Sequence, residues 1–497
     1  MPRFALAAKT PNRFALATLV LLAGASHAQA LEGKALFEKL LAQAGPKPVT
    51  VTYGSVSESG PASFAAQNVS LKVEGISQPF TIEALTVRGL REKAEGRVSY
   101  DAFAISQLAQ KTDRGSMAIE GIASSNGDFP VIVLKGSSSA FQPGQAVKFD
   151  SFSLSGLSGS NNRNDSTFSL DSIAATKGDI PLVYDYEGKR GLKTDQTLQL
   201  ESFAMNGIAA SGSGSTVTVE TVGISSLNVP IVAAGSALAF MTPFSGMFVK
   251  SVEVKTNGQT LMTMGDMNVA ITNDGGDTYV GKGSFNDVKF EVAGLPERQA
   301  RETMRRLGYE TIEGSMTTTS SYNPKTGVTD LTNTVIDVKD MFAFAMDYKI
   351  SGYTLEVAQQ LQELSFKAEA SGSDPTAQFM QMMPLLSQLK VDSMSLSLTD
   401  KSLVGKLLDM QAQQMGTSGE QLAAGAPMML GMGMAGLGMP GLTEMVTSAV
   451  GKFLQQKGTL TASVIPANPV SVSDIMMASQ TDPKKLPQMM NLQVTAD

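Results

Sequence analysis

From Leu71 to Leu227 one short alternation of apolar and polar positions keeps returning, with an acid at its centre. It reads LKVEGI, FTIEALTV, MAIEGI, VKFDSFSL, FSLDSI, LQLESFAM and VTVETVGI, and the last four acids are Asp150, Asp171, Glu201 and Glu220. Alternation over short runs bounded by Gly, Ser and Asn predicts half-buried strands. The alternation slips by one at each acid: Leu198 and Leu200 share even parity, Phe203 and Met205 are odd. A β-bulge supplies one extra residue, returns side chains to the same face and bends the strand. The acids are therefore expected to face solvent as bulge markers on a long, curved antiparallel sheet. Spacings of 21, 30 and 19 residues between positions 150, 171, 201 and 220 predict no fixed register for a shared carboxylate site.

Past Val249 the β pattern resumes. MNVAITNDGGDTYVGKGSF predicts a hairpin around Asn273-Asp274-Gly275-Gly276, and SSYNPKTGVTDL a second turn at Asn323 to Gly327. FAFAMDYKI then places Phe342, Phe344, Met346, Tyr348 and Ile350 on one face, with Ala343, Ala345, Asp347 and Lys349 between them. One bulky apolar face and one small or wet face suit an antiparallel sheet covering a core or a groove. Phe342, Phe344, Met346 and Tyr348 are thus candidate contacts for an apolar ligand or partner.

Helical spacing interrupts the strands. Leu31 to Ala44 predicts an amphipathic helix, and Pro296 to Leu307 a second, with Pro in its first turn and Gly308 beyond its end. The second carries Arg298, Arg301, Arg305 and Arg306. Arg298, Arg301 and Arg305 are candidate anion contacts, set against a solvated face with Glu297–Arg301 pairing. Val229 to Val249 is charge-free and long enough to span a bilayer, but Pro230 and Pro243 interrupt it. It is expected to be a buried helical linker between lobes. Residues 427–442, PMMLGMGMAGLGMPGL, formally contain G-x-G-x-x-G at Gly431 to Gly436. Lacking a preceding strand and a suitably placed acid, the match carries no dinucleotide site. Loose core filling or a disordered loop is the ordinary expectation, and a soft apolar contact surface made of Met428, Met429, Met432, Met434 and Met439 the functional one.

The chain opens with Arg3, Lys9 and Arg13, an apolar core from Phe14 to Ala25, and Ala28-Gln29-Ala30. This predicts a signal peptide cleaved after Ala30, and export to the periplasm of a Gram-negative bacterium. The remaining chain is divided into a β-rich lobe at 31–228, an apolar linker or helix at 229–249 and a second β-rich lobe at 250–352. A Met-rich helical segment at 353–458, with a strand near 391–398, precedes a strand-helix-strand segment at 459–497. The fold class expected is α+β, mainly β, with the sheet covered by a few amphipathic and apolar helices.

Chemistry is restricted by composition. The 497 residues hold no Cys, no Trp and one His, and His27 lies inside the expected signal peptide. Ser-His-Asp and Cys-His nucleophiles and His- or Cys-ligated metals are excluded from the mature chain, while carboxylate pairs, Ser-Lys dyads and all-oxygen calcium sites survive. No catalytic, cofactor-binding or metal-binding residues are assigned, and no cofactor is expected. A net charge of −7 without basic runs argues against a nucleic-acid partner.

RRLGYETIEGSMTTTSSYNPKTGVTDLTNTVIDVKDMFAFAMDYKISG, with the C-terminal GKFLQQKGTLTASVIPANPVSVSDIMMASQTDPKKLPQMMNLQVTAD, resembles the YdgA-like exported proteins of Gram-negative bacteria, a family of unknown function. More distantly, the strand-acid-strand pattern is similar to AsmA-like envelope proteins. The second resemblance implies an elongated apolar groove for lipid movement, although such proteins are membrane-anchored and this chain opens with a cleavable signal. The expected function is a non-enzymatic periplasmic envelope protein whose apolar β groove binds lipid or a hydrophobic peptide. The alternative is a scaffold that contacts another envelope protein or the membrane surface, its groove filled by its own helices.

Overall fold

A computed structural model describes residues 33–42, 49–131, 145–181, 185–186, 189–190, 197–230, 244–273, 276–295, 297–358, 360–361, 364 and 375–497. The expected signal peptide lies outside these residues. The fold is α+β and mainly β, built on antiparallel pairing, and the chain divides into two compact units, Met1–Met247 and Phe248–Asp497. Of the apolar stretch 229–249, residues 231–243 lie outside the description. Its described ends are strand rather than the expected helix, belonging to Ser215–Pro230 and Phe244–Thr256.

The first unit begins with helix α1 (Gly33–Ala42), followed by β1 (Val49–Thr52), β2 (Ser55–Gly60), β3 (Ser63–Val73), β4 (Phe80–Arg88) and β5 (Arg91–Lys93). Then come β6 (Arg97–Thr112), β7 (Gly115–Pro130), β8 (Ala146–Asn161) and β9 (Ser166–Pro181). A small ribbon of β10 (Asp185–Tyr186) and β11 (Lys189–Arg190) precedes β12 (Thr197–Gly212) and β13 (Ser215–Pro230). β3, β4, β6, β7, β8, β9, β12 and β13 pair in that order, each antiparallel to the next. The last six strands are all 16 residues long and form three hairpins.

These hairpins are a repeat. Their first arms contain YDAFAISQL, FDSFSLSGL and LESFAMNGI; their second arms contain MAIEGIASSNGDFP, FSLDSIAATKGDIP and VTVETVGISSLNVP. In every arm an acid is followed six residues later by a residue with positive φ: Asp101 and Gln107, Glu120 and Asn126, Asp150 and Gly156, Asp171 and Lys177, Glu201 and Gly207, Glu220 and Ser226. Because neighbouring arms run in opposite directions, an acid on one faces a left-handed residue on the next. One seam crosses the sheet through Asn68, Glu83, Gln107, Glu120, Gly156, Asp171, Gly207 and Glu220. A second passes through Asp101, Asn126, Asp150, Lys177, Glu201 and Ser226. Facing pairs drop out of the ladder at both seams, yet the register on either side is unchanged.

Two expectations are corrected here. The acids do fall at fixed levels, alternating between the two seams, which their uneven linear spacing concealed because turns and longer connections alternate between arms. Each faces a left-handed residue rather than another acid, so the levels make no shared carboxylate site. The parity slip in these strands is also not a one-residue insertion. Both strands carry an irregular residue at the same level, so the two cancel and the pairing continues in step. Glu74 of LKVEGI is a further exception, lying in the turn after β3. The acids Glu83, Asp101, Glu120, Asp150, Asp171, Glu201 and Glu220 are exposed, as expected.

The result is one continuous apolar face. Ala66, Leu85, Ile105, Ile122, Leu154, Ile173, Met205 and Val222 stand directly opposite one another along eight strands. Phe64, Val87, Phe103, Ser124, Phe152, Ala175, Phe203 and Ile224 form a second row. Leu36, Phe37, Leu40 and Leu41 of α1 join the β3–β9 part of this face in a single buried cluster that includes Leu154 and Leu170, with Ile173 and Met205 packed against it.

The second unit contains β14 (Phe244–Thr256), whose first residues precede the division point, and β15 (Gln259–Asn273), β16 (Tyr279–Glu291), β17 (Thr311–Asn323), β18 (Val328–Val338), β19 (Phe342–Ser351) and β20 (Lys390–Asp400). Strands β21 (Thr459–Val464), β22 (Val470–Ser471) and β23 (Leu492–Ala496) complete it. β15 through β21 pair in chain order, and β23 adds to β21. Here inserted residues do shift the register, in β16 near Asp287, in β18 near Asn333 and in β20 near Asp392. The predicted turn after β17 is an Asx turn: the Asn323 side-chain oxygen accepts from the backbone N–H of Lys325 at 3.0 Å and Thr326 at 3.1 Å.

The helices of this unit are α2 (Arg298–Arg306), α3 (Pro375–Leu386), α4 (Leu403–Met415), α5 (Gly419–Met434), α6 (Pro440–Gln456) and α7 (Val472–Thr481), with a single turn at Leu486–Met489. The Met- and Gly-rich stretch is therefore neither loop nor loose core. Ser418 accepts from the Gln421 N–H in a capping box that starts α5. Gly438 at φ +63 and Pro440 at the start of α6 make the break between the two helices. α5 packs on α4 and α6, and α6 on β21 and β23. Packing at Ala423 and between Pro427 and Gly451 offsets the intrinsic helix penalty of glycine and proline.

Candidate functional site

Three groups of sequence-predicted contacts fall in the second unit, and the structure gives them different surroundings. Phe342 packs into a small core with Leu307, Tyr309 and Met341, to which Leu403 and Met410 of α4 contribute. Phe344, Met346 and Tyr348 follow it on β19 and are half-buried. Their row continues through Leu398, Leu396 and Met394 of β20 to Leu460, Ala462 and Val464 of β21. The chain's own apolar side chains thus extend this face in both directions.

On α5 the methionines point outward. Met428 is 72% exposed, Met429 60% and Met432 63%, whereas Met434 and Met439 are half-buried. Leu422 and Leu430 on the same helix are half-buried. No charged residue occurs from Gln421 to Thr443. Among the described residues no helix is long and apolar enough to cross a membrane.

The arginine helix α2 is exposed and amphipathic. Arg298 donates to Glu302 at 2.6 Å, and Arg301 donates to the Leu295 carbonyl. Arg305 lies in the last turn, where a cation interacts favourably with the helix dipole. Two of the three candidate anion contacts are therefore engaged with their own neighbourhood.

A polar cleft that the sequence did not signal lies at the start of α4. It has a volume of about 320 Å³ and is lined by Asp400, Lys401, Lys406, Asp409 and Lys457 among others. Asp400 is buried; one oxygen accepts from the Val404 N–H at 2.9 Å and the other has no partner. Lys401 pairs with Asp337, and the Lys406 ammonium lies 3.7 Å from the centre of the Tyr309 ring. The Ser402 hydroxyl donates to the Asp340 carbonyl and is bonded to the Tyr309 hydroxyl at 2.9 Å. With its proton on a carbonyl and the nearest lysine over a ring, Ser402 is not arranged as a Ser-Lys nucleophile. Among the described residues no group of three or more His, Cys, Asp or Glu could hold a metal ion.

The apolar rows of the first unit grade from buried to half-buried along the described strands. Ala66, Leu85, Ile105, Ile122 and Leu154 are buried, but Ile173, Met205 and Val222 at the end of the same row are only half-buried. The second row behaves alike, with Phe203 and Ile224 half-buried, and Phe168 and Val217 near its rim are about 40% exposed. Among the described residues of this unit α1 is the only α-helix, and it packs on β1 and β3. Among the described residues, helical cover of the apolar face lies at the β1–β3 side. Sequence parity identified these residues as inward-facing but carried no signal of where the covering helix packs.

Residues 335–497 match a protein family described as "Uncharacterized protein", over less than half of the chain. No curated protein matches the chain.

Proposed function

We propose that this chain is a non-enzymatic envelope protein whose first unit holds an acyl chain or similarly extended apolar ligand along the late strands of its sheet. The observation that carries this reading is the pair of apolar rows. They continue across β9, β12 and β13, where Ile173, Phe203, Met205, Val222 and Ile224 are half-buried rather than buried. A soluble protein rarely leaves a large contiguous apolar patch open without a partner for it. Strand side chains stand in parallel rows, so the surface offers linear tracks suited to a flexible hydrocarbon chain. The signal-like N-terminus supports the envelope assignment.

A second reading, a scaffold whose apolar surfaces are filled internally, is favoured by a different observation. α1 already inserts Leu36, Phe37, Leu40 and Leu41 over the early strands, and α4 does the same for Phe342. Extraction of protein purified without detergent, followed by mass spectrometry, separates the two. Ligand binding predicts a co-purifying lipid whose amount falls in Phe203→Ser and Met205→Ser; lipid-free protein that takes up none on exposure to vesicles supports the scaffold.

A further inference from the structure

We propose that Met428, Met429 and Met432 of α5 form a thioether site for a soft monovalent metal ion, copper(I) or silver(I). Residues three and four apart on a helix are neighbours, so Met432 adjoins both Met429 and Met428 on one surface. All three are well exposed. The helix carrying them is fixed by its capping box at one end and by its packing on α4 and α6. Gly425, Gly433 and Gly436 beside them present no side chain, and a Cβ at any of the three would meet open space.

The distribution of residue types on α5 argues for sulfur rather than for greasiness alone. Leucine and methionine have nearly the same helix propensity and similar hydrophobicity. On this helix, however, Leu422 and Leu430 lie on half-buried positions, as does Met434, while three methionines, Met428, Met429 and Met432, take exposed ones. What methionine adds at an exposed position is a polarizable thioether, and soft thioether ligands select copper(I) over hard divalent ions. The chain has 28 methionines and no cysteine, and its one histidine is His27, so thioethers supply its soft donors from Gly33 onward. Thioethers are neutral, and the absence of charged residues from Gln421 to Thr443 leaves no carboxylate within this segment to recruit a harder cation instead. The inference does not depend on the acyl-chain reading, which concerns the other unit.

Silver(I), a redox-inert ion of the same softness, is the probe. The full chain, labelled at its methionine methyl carbons, is titrated with silver nitrate in chloride-free buffer and followed by NMR and native mass spectrometry. One tightly bound silver per chain is expected, with methyl shifts centred on Met428, Met429 and Met432. The variant Met428→Leu/Met429→Leu/Met432→Leu keeps the apolar surface and should lose that ion while its other methyl resonances stay in place. Silver uptake that is unchanged in the leucine variant, shifts spread evenly over exposed Met380, Met415 and Met477 as well, or no uptake at stoichiometric silver would each overturn the proposal.

Discussion

Gly207 shows at one residue how the repeat works. Its φ of +64° is one that glycine adopts without strain, and a Cβ there would lie 2.0 Å from an oxygen of Asp171 on the facing strand. Gly156 stands in the same relation to Glu120. At two of the left-handed positions that carry a side chain, that side chain bonds to an acid: Asn126 donates to Asp150 at 2.6 Å, and Lys177 pairs with Glu201 at 3.0 Å. Gly207→Ala should destabilise the protein by about 1–3 kcal/mol in urea unfolding, and Asp171→Ala in the same chain should recover part of that loss. If the double variant is no better than Gly207→Ala, the carboxylate is not what excludes the Cβ.

Asp128 is a different kind of acid. Burial pushes its carboxyl up, but hydrogen bonds from Lys93 at 2.6 Å and Arg97 at 2.8 Å outweigh burial and hold it below its ordinary value. A depressed folded-state pKa contributes stability above the unfolded-state value, and that contribution is lost as pH falls through the folded one. The stability gap between the native chain and Asp128→Asn should therefore be present at neutral pH and shrink below about pH 4. Urea midpoints at pH 7 and pH 3 measure it; an equal gap at both contradicts the assignment. The sequence made the seam acids visible as parity slips, because alternation is local. Their partners were invisible, since a facing residue lies tens of positions away and Gln107, Asn126, Lys177 and Ser226 share no side-chain chemistry.

At the scale of elements, α1 closes the early part of the first unit's core. Leu40 is completely buried and Phe37 packs on Phe64 with ring centres 5.4 Å apart. Leu40→Ala should cost about 2–5 kcal/mol, the range for truncating a buried leucine, and a loss well below that would show that α1 is only loosely attached. The α1 amphipathicity, the β17–β18 Asx turn and the strand at Phe342–Ser351 were legible because each rests on a short-range pattern. The α5–α6 hairpin was not. Glycine, proline and exposed methionine weaken the helical signal of residues 427–442, and the packing of α5 on α6 that compensates is tertiary. For the apolar run ending at Val249, length and lack of charge suit a buried helix, but its last described residues belong to the strand Phe244–Thr256.

At the scale of the molecule, the two units solve the same problem differently. The first keeps its register across eight strands and lets paired irregularities hold the bulky apolar side chains of its two rows on one face. The second uses register-shifting bulges and places much of its helical mass after β19. The family match at 335–497 falls within the second unit. The polar cleft at Asp400 was beyond sequence reasoning, since it needs Lys457 beside residues 400–409. The direct test of the proposed acyl-chain track is photolabelling of the full chain with a diazirine-bearing fatty acid, mapped by peptide mass spectrometry. The account predicts saturable labels in β9, β12 and β13, around Ile173, Phe203, Met205, Val222 and Ile224. Labelling that is absent, unsaturable or confined to the second unit would contradict it.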